Sequence, residues 1–298
     1  RRLSAQGLWP VKIVPADENL ETEDILELVN SGAIARTVCD SHIANAWADI
    51  LTDIRVSGDV TFRKGGDIAW AVRKTSPALK ASLDDFARTH QKGTRLGNIF
   101  FKRYYENTTW IKNPLAGGSE KKLAAYAPLF KKYATRYGFD WRLISAIAYQ
   151  ESGFDHSKVS PEGAVGIMQV RPQTAADPKV GIPDISSVEN NIQAGVKYLK
   201  FLQDQYFDDA AIRPRDQVRF SLAAYNAGPV RMRRARKKAM KMHLDPNRWF
   251  RNVEIAMLKI VGQETVRYVS NINKYYVIYS NAYQQVEKRE AAIQRIKK

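Results

Sequence analysis

The stretch "AIAYQESGFDHSKVSPEGAVGIMQV", residues 146–170, ends an apolar helical run in a single glutamate and follows it with a glycine-rich loop. Ile144, Ile147 and Ala148 recur at helical spacing, and Glu151 occupies the next step of the same stripe. A carboxyl group on that stripe faces an interior or a cleft, where loss of water raises its pKa. Such a group is suited to act as a general acid near neutral pH. The alternative is a helix-terminal glutamate that turns out to water, and periodicity does not choose between the two.

The segment after Glu151 favours a binding loop over a plain helix end. Gly163 and Gly166 allow tight turns and close approach of a ligand to the backbone. Met168 then offers an apolar contact, and Gln169 offers a side chain that both donates and accepts hydrogen bonds. This combination indicates that Glu151 lies beside a ligand.

A second apolar helix ends in the sequence "AAYNAGP", residues 223–229, which places Tyr225 and Asn226 before a Gly-Pro stop. Aromatic faces and side-chain amides suit sugar rings and N-acetyl groups. Each residue also has a structural interpretation, because a tyrosine often packs in a core and an asparagine before glycine often caps a helix.

Composition restricts the kinds of protein that this chain can be. Its 298 residues suggest two domains of ordinary size or one large one, and 44% hydrophobic residues suffice for a sizeable core. A net charge of +16 points to acidic surroundings: nucleic acid, an anionic membrane surface or an acidic polymer. The sequence has no run of about 18 apolar residues, so no membrane-spanning helix is predicted. The single cysteine, Cys39, excludes an internal disulfide.

The first 110 or so residues mix strand and helix patterns. Short runs rich in β-branched and aromatic residues predict four strands, at 11–14, 37–39, 60–62 and 68–72. Helical spacing of Ile25, Leu28 and Val29 predicts a helix between the first two runs. A further helix is predicted to begin with Ser76 as N-cap and Pro77 as its first residue. Strands that alternate with helices indicate an α/β domain.

From about residue 119 to 285 the patterns are helical throughout, without strand-like alternation. The predicted fold class is therefore α+β multidomain, an α/β domain followed by an all-α domain. The predicted domain boundaries are 1–113 for the first domain, 114–122 for a linker, 123–285 for the helical domain and 286–298 for a charged helical tail.

Four separated motifs of the helical part resemble one family. "ESGF", "SPEGAVGIMQV", "AYNAG" and "ETVRYVSNI" occur in that order between about residues 135 and 280. Together they resemble the lytic transglycosylases of the soluble-lytic-transglycosylase type, with Ile167 where that pattern usually has leucine. The resemblance implies a goose-type lysozyme-like catalytic domain. It also implies cleavage of the β-1,4 bond between N-acetylmuramic acid and N-acetylglucosamine in peptidoglycan, with 1,6-anhydromuramyl ends as the product.

The resemblance also implies roles for particular residues. Glu151 would be the single acid/base that protonates the leaving oxygen and then takes the proton of the muramyl C6 hydroxyl. Substrate-binding positions that match the motifs are Ser152, Ser160, Met168, Gln169, Tyr225, Asn226 and Tyr268. Ordinary glycosidases use two carboxylates. The nearest further candidate, Asp155, is better explained as a turn or cap residue. A lysozyme-type muramidase that uses water on the same fold is the first alternative.

Residues 10–106 resemble part of a solute-binding-protein family 3 domain, through "TVCDSHIANAWADI", "DIAWAVRKTSPALKASLDDFART" and "GNIFFKRYYE". Such a periplasmic-binding-protein-like domain precedes the catalytic domain in the membrane-bound lytic transglycosylase F group. The segment is shorter than a two-lobed binding protein, so the domain is predicted to be partial. A second alternative function follows, in which a front domain senses wall fragments such as muropeptides and the helical domain only anchors it.

The segment "RMRRARKKAMKM", residues 231–242, contains seven lysines or arginines. No base-reading module accompanies it, so nucleic acid is not predicted as a partner. A basic face drawn to the acidic wall, or one that only aids solubility, is favoured. The four histidines are scattered, and neither a metal site nor a cofactor is predicted. The family setting implies the periplasm of a Gram-negative bacterium, with outer-membrane association.

Overall fold

The structure, a computed structural model, describes residues 13–17, 20–48, 51–66, 69–91, 93–101, 114 and 118–296. These residues fall into two compact units. One unit consists of the described residues between Glu21 and Asn113, and the other of those between Pro114 and Lys298 together with 13–17 and 20. None of the described helices is both long and apolar enough to cross a membrane.

The unit between Glu21 and Asn113 contains helices in its described part. They are α1 (Thr22–Asn30), α2 (Ser41–Ala48), α3 (Pro77–His90) and α4 (Arg95–Phe101). The predicted helix between the first two strand candidates is confirmed as α1, whose Leu28 is buried. The predicted start of α3 is also confirmed, since Ser76 is the N-cap and Pro77 the first helical residue. Leu26, Trp47 and Leu51 form a small buried cluster that holds α1 against α2.

The four predicted strands are wrong wherever the structure describes them. Residues 13–14, 37–39, 60–62 and 69–72 are not strands, while 11–12 and 68 lie outside the described residues. Their apolar side chains face water: Ile13 is 85% exposed, Val60 60% and Trp70 60%. A strand needs partner strands and a covered face to be stable, and these runs have neither among the described residues. The described chain is therefore mostly helical, and the predicted α/β domain has no sheet there.

The second unit is built from eight helices in its described part and an irregular turn at Trp249–Val253. They are α5 (Ser119–Tyr137), α6 (Trp141–Ser152), α7 (Pro172–Ala176), α8 (Val188–Tyr206), α9 (Pro214–Ala227), α10 (Pro229–Lys241), α11 (Glu254–Val261) and α12 (Gln263–Ile296). Helix α5 begins inside the segment predicted as a linker, after Gly118 in a left-handed conformation. Helix α12 continues without a break from the predicted helical domain into the predicted tail.

Helix α6 carries the catalytic candidate, and its two ends are fixed by local chemistry. Asp140 caps the first turn, because its side chain accepts a hydrogen bond from the backbone N–H of Arg142 at 2.9 Å. Gly153 ends the helix in a left-handed conformation, with φ of 67°. Between these caps, Ile144 and Ile147 are fully buried. The predicted apolar stripe is therefore the buried face of α6.

Helix α12 packs along α6 and holds it in place. The rings of Tyr149 and Tyr275 meet edge to face, with centroids 4.9 Å apart. The hydroxyl of Tyr276 donates a hydrogen bond to Asp140 at 3.1 Å, so α12 also contacts the N-terminal cap of α6. This packing brings the first turns of α12 to the C-terminal end of α6, where Glu151 lies.

Candidate active site

The site is centred on Glu151 in the last turn of α6. The Tyr268 hydroxyl, from the second turn of α12, donates a hydrogen bond to Glu151 Oε1 at 2.6 Å. Burial raises the pKa of Glu151 from its ordinary value of 4.5 to about 7, against the opposing effects of the Tyr268 hydrogen bond and the Lys158 charge. Burial also raises the pKa of Tyr268 well above its ordinary value. Tyr268 is thus a neutral donor, and Glu151 can exist in either protonation state near neutral pH.

The backbone reverses sharply after Glu151. Gly153 and Phe154 both adopt left-handed conformations, with φ of 67° and 62°. This conformation is costly for a bulky residue such as Phe154, and burial of its ring offsets the cost. That ring is 1% exposed and lies 5.5 Å from the ring of Tyr149 and 6.0 Å from that of Phe130. Core packing therefore holds the chain reversal that ends α6 at the glutamate.

Lys158 connects the end of α6 to the loop that follows. Its Nζ donates a hydrogen bond to the backbone carbonyl of Glu151. Its own carbonyl accepts from Gln169 Nε2 at 3.0 Å and from the Gly166 N–H at 3.0 Å. Lys158 thus places a positive charge near the glutamate and holds Gln169 through its backbone.

Gln169 is oriented by two hydrogen bonds from one end of its side chain. Nε2 donates to the carbonyls of Lys158 at 3.0 Å and Gly166 at 2.9 Å, which leaves Oε1 as the acceptor for a ligand. The backbone of Gln169 is left-handed, with φ of 46°, a conformation that persists only where surrounding contacts impose it. Short antiparallel bridges, Val159 to Val165 and Val165 to Val170, brace the loop on either side.

Met168 is placed differently from its predicted role of lining a cleft. Its side chain is fully buried and packs on α8, where a Cβ on Gly195 would lie 2.8 Å from the Met168 Cβ. Its backbone does contact the site, because the Met168 carbonyl accepts a hydrogen bond from the Tyr225 hydroxyl at 2.9 Å. The backbone of Met168 therefore positions Tyr225, while its side chain fills the core behind the site.

Asn191, which was not singled out from the sequence, locks the loop to α8. Its side chain is fully buried, its Oδ1 accepts from the Met168 N–H at 2.9 Å, and its Nδ2 donates to the Val165 carbonyl at 2.9 Å. Gly166 lies so close that a Cβ there would meet the Asn191 side chain at 2.5 Å. The available signal was an asparagine within the apolar stripe of α8, since a buried amide must find partners.

Tyr225 and Asn226 lie in the last turn of α9. Burial first, and then the charge of Glu151, raise the pKa of Tyr225 well above its ordinary value. Thr265 of α12 donates a hydrogen bond to Asn226 Oδ1 at 2.6 Å. The amide orientation of Asn226 is thereby fixed, with Nδ2 left as a donor.

Ser152 and Ser160 lie in the same region, with mainly local partners. The Ser152 hydroxyl donates to the carbonyls of Ile167 at 2.9 Å and Ala148 at 3.1 Å. It therefore ties α6 to the loop. Ser160 Oγ accepts the Ala164 N–H at 3.1 Å inside the turn of the loop. Both side chains shape the loop, and Ser160 is partly exposed.

Two other polar residues of the loop have structural partners. Asp155 is exposed and accepts hydrogen bonds from the Ser157 N–H at 2.9 Å and hydroxyl at 2.7 Å, which confirms its interpretation as a turn residue. His156 lies between the Ser186 carbonyl, 2.8 Å from Nε2, and the Ile167 N–H, 3.3 Å from Nδ1. It links the loop to the segment before α8, a structural role that the sequence pattern did not indicate. Among the described residues no cluster of three or more His, Cys, Asp or Glu could hold a metal ion.

The site lies within a domain that known proteins share. Residues 128–246 match the family described as Transglycosylase SLT domain. The matched residues include Glu151, Gln169, Tyr225 and Asn226, whereas Tyr268 lies beyond them.

Most of the chain is also similar to a particular group of proteins. It is 34% identical over 276 residues to the membrane-bound lytic murein transglycosylase F of Desulfosudis oleivorans. The matched region covers 87% of this chain and 60% of that protein. It is 30% identical over 280 residues to the protein of the same name from Pseudomonas fluorescens. Here the matched region covers 87% of this chain and 56% of the Pseudomonas protein. The chain therefore spans somewhat more than half the length of these relatives.

Two solved structures are similar to part of the chain. The 70 kDa soluble lytic transglycosylase SLT70 of Escherichia coli is 28% identical and gives a TM-score of 0.43. The matched region covers 67% of this chain and 34% of the SLT70 chain. An inactive mutant of the lytic transglycosylase Slt from Pseudomonas aeruginosa is 24% identical and gives a TM-score of 0.44. The matched region covers 63% of this chain and 30% of the Slt chain.

Proposed function

We propose that the chain is a peptidoglycan lytic transglycosylase in which Glu151 is the single general acid/base. The observation that carries the proposal is a buried glutamate whose pKa is raised to about 7 and whose Oε1 is 2.6 Å from a neutral tyrosine donor. Its setting in an SLT domain and the names of the similar proteins support the substrate class. A carboxyl group with this pKa can give and then regain a proton near neutral pH.

In the first step, protonated Glu151 delivers its proton to the glycosidic oxygen that leaves from muramyl C1. The C1–O bond breaks as the proton arrives, and the developing positive charge at C1 is stabilised by the acetamido oxygen of the substrate. The Tyr268 hydroxyl remains hydrogen-bonded to the carboxylate that forms. Since a charge-assisted bond is stronger than a neutral one, Tyr268 stabilises the product of this proton transfer.

In the second step, the Glu151 carboxylate takes the proton of the muramyl C6 hydroxyl while the C6 oxygen bonds to C1. One C–O bond is broken and one is formed, no water is consumed, and Glu151 returns to its protonated state. The nearby charge of Lys158 lowers the pKa of Glu151 and so supports the carboxylate that acts as base.

The scheme needs one carboxylate, and the site offers one. A double-displacement glycosidase places a second carboxylate about 5 Å from the acid. The nearest candidate along the chain, Asp155, is exposed and engaged in its own turn. The substrate's acetamido group would supply the stabilisation that a second carboxylate provides elsewhere.

Three side chains would receive the sugar. Gln169 presents Oε1 as an acceptor, and Asn226 presents Nδ2 as a donor, because their other ends are occupied by protein groups. Tyr225, fixed through its hydroxyl, would present its ring beside Glu151. Ser160 would contact the N-acetyl group from the loop, and Ser152 and Met168 would act through the positions of these residues.

The wider assignments belong to the same proposal. Residues 123–285 would form a lysozyme-like catalytic domain, 114–122 a linker and 286–298 a charged tail, with 1–113 a partial solute-binding-like domain that binds a muropeptide or other small ligand. Glycan strands of peptidoglycan would be the partner. The periplasm of a Gram-negative bacterium, with outer-membrane association, would be the location, as the names of the relatives suggest.

Mass spectrometry of muropeptides released from purified sacculi tests the function. The wild-type chain is expected to release 1,6-anhydromuramyl products, lighter by one water than reducing-end sugars, and Glu151→Gln is expected to release none. Glu162→Gln, the same change at an exposed loop residue, is the matched control and should retain activity. Reducing-end products that disappear in Glu151→Gln would instead establish a muramidase. No release by wild-type protein would refute both activities.

A further inference from the structure

Thr265 lies in the first turn of α12, within the motif "ETVRYVSNI", and takes no part in the proposed proton transfers. It is only 2% exposed. Tyr268 follows it by one helical turn, so the two side chains leave the same face of α12. Tyr268 reaches Glu151 on α6, whereas Thr265 reaches Asn226 on α9. One face of α12 therefore contacts both the acid of the site and a neighbouring amide.

The length of the hydrogen bond between Thr265 and Asn226 shows which end of the amide faces α12. Thr265 Oγ1 lies 2.6 Å from Asn226 Oδ1. A separation this short is typical of O–H···O hydrogen bonds, whereas N–H···O hydrogen bonds are usually about 2.9–3.0 Å long. The hydroxyl therefore donates to the amide oxygen. Asn226 Nδ2, a donor, is the end of the amide that is left for a ligand.

The buried hydroxyl of Thr265 also resists rotation of this amide. If the amide turned over, Nδ2 would donate to Oγ1, and the hydroxyl proton would need another acceptor. Among the described residues the Asn226 oxygen is the acceptor that this hydroxyl uses. A buried donor that loses its acceptor costs free energy. Thr265 cannot move away easily, because Val269 and Ile272 on the same helix are fully buried.

We propose that Thr265 is a positioning residue that makes the site select N-acetylated glycans over N-deacetylated ones. The carbonyl oxygen of an acetamido group accepts a hydrogen bond from Nδ2, whereas the ammonium group of a deacetylated sugar only donates. While Thr265 holds Oδ1, Asn226 offers no acceptor to that ammonium group. This inference rests on the proposed function and adds a means of substrate discrimination to it.

Binding to the full chain that carries Glu151→Gln tests the inference without turnover. Two ligands are compared by isothermal titration calorimetry at slightly acidic pH: soluble peptidoglycan glycan chains, and the same chains after enzymatic N-deacetylation. Thr265→Val keeps the shape and charge of the side chain but removes the hydroxyl, and Thr265→Ser keeps the hydroxyl. Thr135→Val, at an exposed position of α5, is the matched control. Thermal unfolding checks that each protein is folded.

The expected result is a loss of affinity confined to the acetylated ligand. Thr265→Val should bind acetylated chains roughly fivefold more weakly, because the amide no longer has a fixed direction and the Nδ2 hydrogen bond is weakened. It should bind deacetylated chains at least as well as its parent, since a turned amide offers Oδ1 to the ammonium group. Thr265→Ser and Thr135→Val should keep the preference of the parent.

A double-mutant cycle tests whether Thr265 acts through Asn226. In a chain that already carries Asn226→Ala, Thr265→Val should weaken the binding of acetylated chains no further. A further loss there, equal weakening for both ligands, or an unchanged preference in Thr265→Val would overturn the inference and leave the proposed function standing. If the Glu151→Gln parent binds neither ligand, the proposed function fails, and the inference fails with it.

Discussion

Replacement of Glu151 by glutamine is expected to stabilise the protein at alkaline pH relative to the wild-type chain. Burial raises the pKa of the folded-state carboxyl group from 4.5 to about 7. The folded protein therefore binds this proton more tightly than the unfolded chain does. The associated stability is fully present below about pH 4.5 and is lost as the pH rises through about 7. A glutamine cannot ionise, so it does not incur this loss.

The size of the effect follows from the two pKa values. A pKa that is about 2.5 higher in the folded state lowers the free energy of unfolding by about 3 kcal/mol once Glu151 is fully ionised. About 2.5 kcal/mol of this stability is lost between pH 5 and pH 8. Urea unfolding of both proteins at those two pH values gives the free energies, and the difference between proteins cancels most other titrating groups. Glu162→Gln controls for the removal of one glutamate. A wild-type-minus-variant difference that stays constant with pH, or that rises, would refute the claim that Glu151 is buried and costly to ionise.

Three further predictions concern the groups around Glu151. Tyr268→Phe removes the hydrogen bond to Glu151 Oε1, so the pKa of Glu151 should rise. The alkaline limb of the pH–rate profile for sacculus cleavage should then move up by about 1–2 pH units. An alkaline limb that does not move would contradict this hydrogen bond. Lys158→Met removes a charge that lowers the pKa of Glu151. Because the cation is exposed, the alkaline limb should move upward by less than about one pH unit. Lys158→Arg should return the alkaline limb to its wild-type position. Gly195→Ala places a Cβ 2.8 Å from Met168 and should destabilise the protein by about 1–3 kcal/mol in urea unfolding; unchanged stability would mean that the Met168 side chain repacks freely.

Local patterns were a good guide to the helices and a poor guide to the strands. The stripe of Ile144 and Ile147 predicted α6, and Ser76 with Pro77 predicted the start of α3, because caps and helical periodicity act over a few residues. Strand pairing joins segments that are far apart in sequence, so a short run such as 60–62 does not reveal whether a partner exists. In the structure that run is exposed and unpaired.

The sequence by itself determined that Glu151 continues an apolar helical face, that a glycine-rich loop follows it, and that motifs of one family surround it. Only the tertiary structure decided the chemistry of the carboxyl group. Its pKa depends on loss of water and on Tyr268, which is 117 positions away. In the tertiary structure the Met168 side chain lies in the core instead of the predicted cleft, and the Asn191 side chain holds the loop. Burial and long-range hydrogen bonds arise only when distant helices pack, and for this reason no local pattern could supply them.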